Sequence, residues 1–317
     1  MTDGSGLLCG VEIGGTKCVC IAGLGPQDIR AQRTLKTGSS AAETLRGVED
    51  VLRLWEKDLG AYSGVGIASF GPLELRPESP NFGRIGRTPK PGWENVDVAG
   101  FFARRFAAPL SITTDVIGAA LAEGRWGAAQ GLRDYAYVTV GTGVGVGLIA
   151  DGKPLLGWHH PELGHIRTAR LAGDDWPGAC RFHGACVEGL AAGPAIEART
   201  GVPPGMLPVE HPVWDTVAFA LAQLAHTLVL GVAPQRILIG GGVVTERPHL
   251  FAKIRAFLRD SINNYIDIER AVGSLENYIT SPGLGAMAGP LGALAVGADA
   301  AGHSRSARGP KFPASPQ

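Results

Sequence analysis

The sequence predicts an α/β protein built from two similar domains, and three observations lead to that prediction. Short apolar, β-branched runs alternate with segments of helical period, a pattern typical of α/β folds. A strand, a Gly-Thr turn and a second strand occur at residues 12–21 and recur at residues 140–149. Glycine is abundant, at 47 of 317 residues, which is about twice its usual share. The repeat is too long for a solenoid and therefore indicates a duplicated domain.

The first half of the chain is expected to begin with two strands joined by a tight glycine turn. Apolar alternation predicts the strands, and a period of 3.6 residues predicts the helices. In order, the expected elements are strands at 7–13, 17–24 and 30–35, a helix at 42–58, a strand at 65–70, a helix at 96–106, a strand at 110–114 and a helix at 116–126. Residues 77–92 are rich in proline and glycine and predict a long loop, a feature that is commonly functional.

The second half is expected to continue the alternation around a polar loop. The expected elements are strands at 135–140 and 144–149, a loop with cysteine and histidine at 158–186, a helix at 213–230, a strand at 236–239, a helix at 249–262 and a closing segment at 291–297. The third glycine cluster follows the strand at 236–239, as the other clusters follow theirs.

Charge and composition narrow the class of protein. The 29 basic and 29 acidic side chains cancel, which argues against nucleic acid as a partner. Residues 1–6 lack a basic region, and no apolar run is read as long enough for a membrane span, so we expect neither a signal peptide nor a membrane segment. Cys9, Cys18 and Cys20 lie in strand-like apolar runs, and the odd total of five cysteines favours a reduced, cytoplasmic protein.

Three glycine clusters, at residues 14–17, 141–147 and 240–242, each follow an apolar strand. Glycine allows positive φ and close approach of the backbone to a ligand, and successive free N–H groups in such turns bind anions. One cluster would carry little weight, because a hairpin turn needs glycine anyway. Neither a Walker A motif nor a dinucleotide fingerprint fits, since a strand rather than a helix follows the second cluster. Together the clusters predict a nucleoside triphosphate bound between two β-turns.

A second group of residues has the spacing of metal ligands. It consists of His165, Cys180, His183 and Cys186. Four nitrogen and sulfur ligands predict a closed tetrahedral zinc site, which is structural rather than catalytic; the alternative is a set of unrelated loop side chains. Glu162 and Glu188 flank the group. Each is either a carboxylate held beside the zinc to bind a polyhydroxylated ligand or a solvated surface acid.

A third candidate is Asp115, which follows Thr113 and Thr114 at the end of a strand and the start of a helix. Aspartate at a helix N-terminus is most often a cap. The carboxyl ends of strands in α/β sheets are also where catalytic groups lie, and there Asp115 would act as a base for a sugar hydroxyl. The residues alone leave both interpretations open.

With these motifs described, the chain resembles the ROK family of sugar kinases and repressors, and within it the bacterial fructokinases. The resemblance spans about residues 8–297 and depends on motifs in a fixed order. They lie at 12–17, 69–72, 88–93, 114–115, 139–143, 160–165, 186–190, 193–196 and 240–243. The Thr-Pro-Lys-x-Gly-Trp segment at 88–93 and the His-Pro-Glu segment at 160–162 look like fructokinase rather than glucokinase.

The resemblance implies an actin-like (ribonuclease H-like) ATPase fold, with two similar α/β domains, sugar in a cleft between them and ATP beside it. The N-terminal domain would comprise residues 1–115, completed by a helix at about 289–300, and the larger C-terminal domain would comprise 116–288 with a zinc loop at 158–188. Residues 302–317 would form a disordered tail. The implied activity is ATP-dependent phosphorylation of D-fructose to fructose 6-phosphate by a homodimer, with sugar and nucleotide as partners and neither nucleic acid nor membrane.

The resemblance also implies roles residue by residue. The ATP-binding positions would be Gly14, Gly15, Thr16, Lys17, Gly141, Thr142, Gly143, Gly145, Pro194, Gly240, Gly241 and Gly242. The sugar-binding positions would be Thr114, Asp115, Glu162, His165 and Glu188. Asp115 would be the general base that takes the 6-hydroxyl proton, and Mg²⁺ would bridge the phosphates. Zinc would be bound by His165, Cys180, His183 and Cys186.

Three positions depart from the pattern of the family. Glu12 stands where many members have aspartate, Ile117 where asparagine is usual, and Val146 where a glycine is common. A glucokinase or mannokinase is an alternative, because the 6-hydroxyls of these sugars are chemically alike. A sugar-binding regulator is another, although family repressors carry an N-terminal helix-turn-helix for which we expect no room before residue 7. A zinc hydrolase would need an open coordination position, whereas four protein ligands are on offer.

Overall fold

The structure, a computed structural model, describes residues 6–306 and divides the chain into two units. The first unit consists of the residues up to 127, residues 156–160 and the residues from 287 onward. The second consists of residues 128–155 and 161–286. The helix that begins at Asp115 and ends at Trp126 therefore lies in the first unit.

The strands in chain order are β1 (Leu8–Ile13), β2 (Lys17–Gly25), β3 (Asp28–Lys36), β4 (Gly64–Ser69), β5 (Leu110–Thr114), β6 (Tyr135–Val140), β7 (Val144–Ala150), β8 (Lys153–Pro154), β9 (Arg236–Gly240) and β10 (Ile279–Thr280). The helices are α1 (Ala41–Leu59), α2 (Val98–Ala103), α3 (Asp115–Trp126), α4 (Val187–Ala191), α5 (Gly193–Thr200), α6 (Val213–Gly231), α7 (Gly242–Thr245), α8 (His249–Ile262), α9 (Ile268–Val272), α10 (Leu275–Tyr278) and α11 (Ala288–Ser306).

The two units contain sheets of the same topology. In the first, the order is β3-β2-β1-β4-β5, and β1 is antiparallel to β2 and parallel to β4. In the second, the order is β8-β7-β6-β9-β10, and β6 is antiparallel to β7 and parallel to β9. The strand-turn-strand repeat in the sequence therefore corresponds to equivalent central hairpins, β1–β2 and β6–β7.

Local signals explain most of the long elements. Helix α1 begins where the Ser40 hydroxyl accepts a hydrogen bond from the Glu43 N–H at 3.3 Å, as an N-cap does. Its buried face carries Leu45, Val48 and Leu52, which recur at helical spacing and pack into the core of the first unit. Burial of each such side chain stabilises the fold by about 1.5–3 kcal/mol.

Helix α6 corrects the expectation that no segment is long and apolar enough to span a membrane. Its 19 residues pass that test by length and hydropathy. However, 67% of its most apolar stretch is buried, and residues such as Trp214, Val217 and Leu221 lie in the core of the second unit. The helix is apolar on most sides because protein surrounds it, as expected for the central helix of a folded core.

Helix α11 packs on the first sheet through glycines. An added Cβ would overlap backbone atoms of α11 at Gly66, and at Gly10 it would lie 2.6 Å from the Leu294 nitrogen. Gly292 of α11 lies against α3, since a Cβ there would overlap the Gly118 carbonyl carbon. Many glycines that resemble ordinary turn residues in the sequence therefore allow this helix to approach a sheet and another helix at backbone distance.

We expect Gly66→Ala to lower the free energy of unfolding by about 2–4 kcal/mol, because its methyl group would overlap the Ala293 carbonyl and the Gly297 backbone. The matched control is Gly47→Ala in α1, where a Cβ meets no atom within 4 Å. That substitution is expected to stabilise by about 0.5–1 kcal/mol, since alanine favours helix. Urea denaturation measures both, and equal effects at the two sites would contradict the close packing of α11.

The structure differs from the predicted elements in three respects. The helix expected at 96–106 is shorter, at Val98–Ala103, because Asp97 caps its start. Short elements such as α4 and α5 were not predicted, since helices of 5 and 8 residues are too brief to establish a period. Helix α11 continues to Ser306, and residues 307–317 of the tail predicted to be disordered lie outside the described residues.

Candidate functional site

The carboxyl ends of three parallel strands meet at one edge of the first sheet. In their register, Ile13 of β1 lies opposite Ser69 of β4, and Ser69 lies opposite Thr114 of β5. The turn at 14–17, the segment at 70–72 and Asp115 therefore leave the sheet at the same edge. In α/β sheets this edge is where ligands and catalytic groups lie.

The first glycine turn, Gly14-Gly15-Thr16-Lys17, is exposed at its last three residues. Among the residues that the structure describes, the N–H groups of Gly15 and Thr16 have no hydrogen-bond partner. Neither Gly14 nor Gly15 has a positive φ, so the expectation of a positive φ is wrong for this turn. Free N–H groups rather than a left-handed backbone are what make this turn suitable for an anion.

Asp115 is the first residue of α3, but it is not the N-cap. The cap is Thr114, whose hydroxyl oxygen accepts a hydrogen bond from the Ile117 N–H at 3.2 Å. Asp115 Oδ1 accepts one from the Val116 N–H at 2.9 Å. Burial raises the pKa of the Asp115 carboxyl from 3.8 to about 6, and hydrogen bonds from backbone N–H groups partly oppose that shift. Asp115 is thus not required as a cap, and its pKa is raised toward the pH at which a general base operates.

Glu12 places a second carboxyl group at this edge. Its pKa is raised from 4.5 to about 7, first by burial and then by the negative charge of Asp115, while Lys17 lowers it. Gly289 at the start of α11 makes room for the longer side chain, because a Cβ there would overlap the Glu12 carboxylate. The departure from aspartate at position 12 is therefore accommodated by a glycine on another element. Both carboxyl groups therefore have a pKa raised toward neutral pH, the range in which a side chain can accept a proton in catalysis.

The second unit brings its glycine clusters together at the end of β6. Gly193 N–H donates to the Gly141 carbonyl at 2.8 Å, which places Pro194 of α5 beside the second turn. Gly241 has a φ of 89°, and a Cβ there would overlap the backbone of Val140. The positive φ expected of these glycines is thus confirmed at Gly241, where a side chain is also excluded by the neighbouring backbone.

Two of the residues predicted to bind ATP, one for a phosphate turn and one for the adenosine side, lie in strands. Gly145 belongs to β7 and pairs with Thr139, and Gly240 is the last residue of β9. Thr142 is exposed between the hairpin strands, and Gly143 follows it. The second turn is therefore Gly141-Thr142-Gly143, shorter than the range read from the sequence.

Glu188 connects the second turn to the cysteine and histidine cluster. Its Oε2 accepts a hydrogen bond from the Val144 N–H at 3.1 Å, and its Oε1 lies 3.8 Å from His165 Nδ1. A Cβ at Gly143 would lie 2.7 Å from Oε2, so glycine leaves room there for the carboxylate. Glu188 is thus held between a turn and a candidate metal ligand and is not a solvated surface acid.

The four predicted zinc ligands lie together in the second unit, with one ligand atom from each within 4.8 Å of the others. Cys180 Sγ lies 3.6 Å from His165 Nδ1 and 3.8 Å from His183 Nδ1, and Cys186 Sγ lies 3.7 Å from His165 Nδ1. A tetrahedral zinc ion places its sulfur and nitrogen ligands roughly 3.5 Å apart. These residues therefore fit zinc in donor type and spacing.

Backbone geometry supports the same cluster. The Gly189 N–H donates to Cys186 Sγ at 3.4 Å, a type of hydrogen bond that orients a thiolate ligand. Cys180 and Gly184 exchange two backbone hydrogen bonds, which forms a tight loop around His183. His165 ends a short 3₁₀ helix, Leu163–His165, which Gly164 brings against Val144. The cluster is consequently built into the fold around β7 and is not a group of unrelated loop side chains.

The remaining predicted sugar-binding residues differ in how they are placed. Thr114 is 3% exposed and uses its hydroxyl as the cap of α3, so a sugar contact there stays a prediction. Glu162 is exposed and immediately precedes the 3₁₀ helix that carries His165. Thr114 and Asp115 lie in the first unit, whereas the other three positions lie in the second.

Sequence reasoning did not assign a role to Lys90 or Thr37. In the structure both make hydrogen bonds to the first glycine turn. Lys90 belongs to the 88–93 motif on which the resemblance depends, so its place in that motif is the signal that could have indicated a role for it. Thr37 carried no signal, because it is a lone threonine between a strand and a helix.

Duplicated sheets of this topology, each with a Gly-Thr hairpin turn, define the class of actin-like ATPase folds. A model of the ROK family matches residues 8–299. The chain therefore belongs to the ROK family, and the predicted resemblance is confirmed.

Similar proteins extend over nearly the whole chain. Over 288 residues it is 38% identical to a fructokinase from Pediococcus pentosaceus, covering 91% of this chain and 96% of that protein. It is 40% identical over 290 residues to a fructokinase from Zymomonas mobilis subsp. mobilis, covering 90% and 94%. Among solved structures, a ROK hexokinase from Thermus thermophilus has a TM-score of 0.76 at 24% identity, with 95% of this chain and 100% of that one covered. The predicted actin-like α/β fold is thus confirmed.

Proposed function

We propose that the chain catalyses ATP-dependent phosphorylation of D-fructose to D-fructose 6-phosphate. The observation that carries the proposal is the Asp115 carboxylate at the carboxyl edge of the first sheet, not used as a cap and with its pKa raised to about 6. A base near the operating pH is what proton removal from a sugar hydroxyl requires. Similarity to fructokinases at 38–40% identity supports fructose as the sugar.

In this reaction Asp115 accepts the proton of the 6-hydroxyl group. The hydroxyl oxygen forms a bond to the γ-phosphorus, and the bond from that phosphorus to the β,γ-bridging oxygen breaks, so that ADP leaves. Free N–H groups of the first turn, with Lys17, bind phosphate oxygens. The second turn, Gly141-Thr142-Gly143, would do the same, with Pro194 and Gly240–Gly242 on the adenosine side. Bound Mg²⁺ would supply neutralisation of phosphate charge.

We further propose that His165, Cys180, His183 and Cys186 hold a structural zinc ion. Its part in the reaction would be to keep His165 and the neighbouring Glu188 in place to bind sugar hydroxyls. Glu162, which immediately precedes the 3₁₀ helix Leu163–His165, would bind the sugar beside them. A closed site with four protein ligands has no open position for water, so it is suited to structure rather than hydrolysis.

The test of function is a coupled assay of ADP release with fructose, glucose and mannose as acceptors. We expect the highest kcat/KM with fructose, and a background without sugar that is lower by orders of magnitude. A higher kcat/KM with glucose or mannose would identify a glucokinase or mannokinase of the same family. Absence of ADP release with every hexose would contradict a kinase and favour a sugar-binding regulator.

We also propose a cytoplasmic homodimer that acts on small molecules and binds neither nucleic acid nor membrane. The balanced charge supports the absence of a nucleic-acid partner, and the free cysteines buried in β1 and β2 support a reducing compartment. The homodimer is proposed from the family resemblance. Light scattering of the purified protein measures the oligomeric state. A mass of one chain, 32.9 kDa, would contradict the dimer.

A further inference from the structure

Every backbone carbonyl of the first glycine turn accepts a hydrogen bond from the protein. The Gly14 oxygen accepts from the Thr37 hydroxyl at 2.8 Å, and the Thr16 oxygen accepts from the Thr37 N–H at 3.0 Å. The Lys17 oxygen accepts from the Gly14 N–H at 2.9 Å. These bonds account for three of the four carbonyls of the turn.

The fourth carbonyl, that of Gly15, accepts from the ammonium group of Lys90 at 2.6 Å. The same Nζ donates to the Thr37 oxygen at 3.0 Å. Lys90 therefore links the middle of the turn to the residue that holds the other carbonyls. All four carbonyls are thus engaged by the protein, whereas the N–H groups of Gly15 and Thr16 are left for a ligand.

The Lys90 side chain is held in place by its own loop. Two residues along, Gly92 has a φ of 75° and lies against the Ser39 carbonyl, where a Cβ would overlap. Trp93 is fully buried and donates from Nε1 to the Gly38 oxygen at 2.8 Å. The loop is thus fastened to residues 38–39, directly after Thr37. A half-buried lysine in such a position is built into the turn and is not a mobile surface cation.

An ammonium group has three N–H donors, and two of those of Lys90 bind carbonyls. The third has no partner among the described residues. A positive charge that both fixes the turn and keeps one donor suits an oligophosphate, because hydrogen bonds between charged groups are about twice as strong as neutral ones.

We propose that Lys90 is a positioning residue for the first phosphate turn and the second cation, beside Lys17, that recognises the terminal phosphates of the nucleoside triphosphate. This inference rests on the proposed kinase function. It assigns to the 88–93 motif a role in nucleotide binding. The contribution of Lys90 to affinity would depend on the number of phosphates in the nucleotide, and not on the base or on the sugar acceptor.

The test is titration calorimetry of wild type and Lys90→Met with AMP, ADP and the non-hydrolysable triphosphate AMPPNP, each with Mg²⁺. We expect the Kd of AMPPNP to rise by roughly 10- to 100-fold, as for loss of hydrogen bonds to a charged group, and the Kd of AMP to stay within about twofold. Lys90→Arg, which keeps the charge, should recover most of the AMPPNP affinity. Lys57→Met, an exposed lysine at the end of α1, is the matched control and should bind all three nucleotides as wild type does.

Kinetics give a second readout that general damage would not reproduce. The KM for ATP should rise in Lys90→Met, while the KM for fructose stays within about twofold of wild type. If the methionine variant does not fold, Lys90→Gln removes the charge and keeps an amide donor for the carbonyls, and the same comparison applies.

Equal loss of AMP and AMPPNP affinity, or no loss of either, would overturn the inference. The proposed function fails separately: a wild-type protein that binds AMPPNP but phosphorylates no hexose contradicts the kinase and leaves the role of Lys90 standing. A wild-type protein that binds none of the three nucleotides overturns both.

Discussion

Replacing Asp115 with asparagine is expected to lower kcat by at least about 100-fold, because the amide cannot accept the proton of the sugar hydroxyl. The substitution keeps size and the hydrogen bond from the Val116 N–H, so the Kd values of fructose and AMPPNP should remain close to those of wild type. Stopped-flow or steady-state ADP release measures kcat, and calorimetry measures binding. Asp58→Asn, at the exposed end of α1, is the matched control and should leave turnover unchanged.

The pH dependence of kcat, compared between wild type and Asp115→Asn, further tests whether Asp115 is the base. With a pKa raised to about 6, Asp115 loses its negative charge as the pH falls. The kcat of wild type should therefore fall about tenfold per pH unit below pH 6, and the residual rate of Asp115→Asn should lack that limb. An unchanged kcat in Asp115→Asn, or the same acidic limb in both proteins, would exclude Asp115 as the base.

The Asp115→Asn substitution should raise the free energy of unfolding while it lowers kcat. The pKa of Asp115 is raised on folding, so the folded protein binds this proton more tightly than the unfolded chain, and the associated stability is lost as the pH rises from about 4 to about 6. Asp115→Asn should consequently raise the free energy of unfolding at pH 8, by at most about 3 kcal/mol, and give no such gain at pH 3. A variant that is both inactive and more stable is the pattern expected of a catalytic carboxylate.

Replacing Cys180 with serine is expected to remove the zinc ion. Wild type should contain about one zinc per chain by elemental analysis, whereas the variant should lose more than about 100-fold in zinc affinity, since even changes beside a ligand cost 10- to 100-fold. Because structural zinc contributes directly to folding, a chelator should lower the Tm of wild type and leave that of the variant unchanged. Activity should fall in both cases, as His165 and Glu188 lose their support.

The matched control for this substitution is Cys20→Ala, in the fully buried part of β2. It removes packing without touching the cluster, so it should lower the Tm but keep one zinc per chain. A wild-type protein that folds and turns over without metal would contradict the zinc site. So would a Cys180→Ser variant whose zinc content equals that of wild type.

Strands were predicted to within a residue or two where the chain alternates or remains apolar over five or more positions, as in β5 and β6. The cysteine and histidine cluster was also predictable, because three of its members lie within seven residues. Equal sheet topologies followed from the repeated hairpin. In each case the information is local, so a short stretch of sequence contains it.

Long-range contacts explain what was missed. Lys90 is 75 residues from Gly15 and 53 from Thr37, so no window of sequence joins them. The choice between Thr114 and Asp115 as the cap of α3 depends on which of the two keeps an extended backbone, and residue type does not specify this because both are good caps. Glycines at the turns were expected to have positive φ, yet only Gly241 among the predicted ATP-binding glycines does so. Composition reports how many glycines are present, but the neighbour that each one admits is set by the tertiary fold.

The packing of α11 on Gly10 and Gly66 has a consequence for how the chain folds during its synthesis. The sheet it covers is complete once β5 has been made, but the helix itself is translated only after residues 128–286, nearly all of which belong to the second unit. At about 5–20 residues per second, the ribosome leaves that apolar face uncovered for roughly 8–30 seconds. A nascent chain that has reached only the second unit would therefore expose an apolar face of the first sheet. We expect it to be a substrate for chaperones until α11 (Ala288–Ser306) has been synthesised.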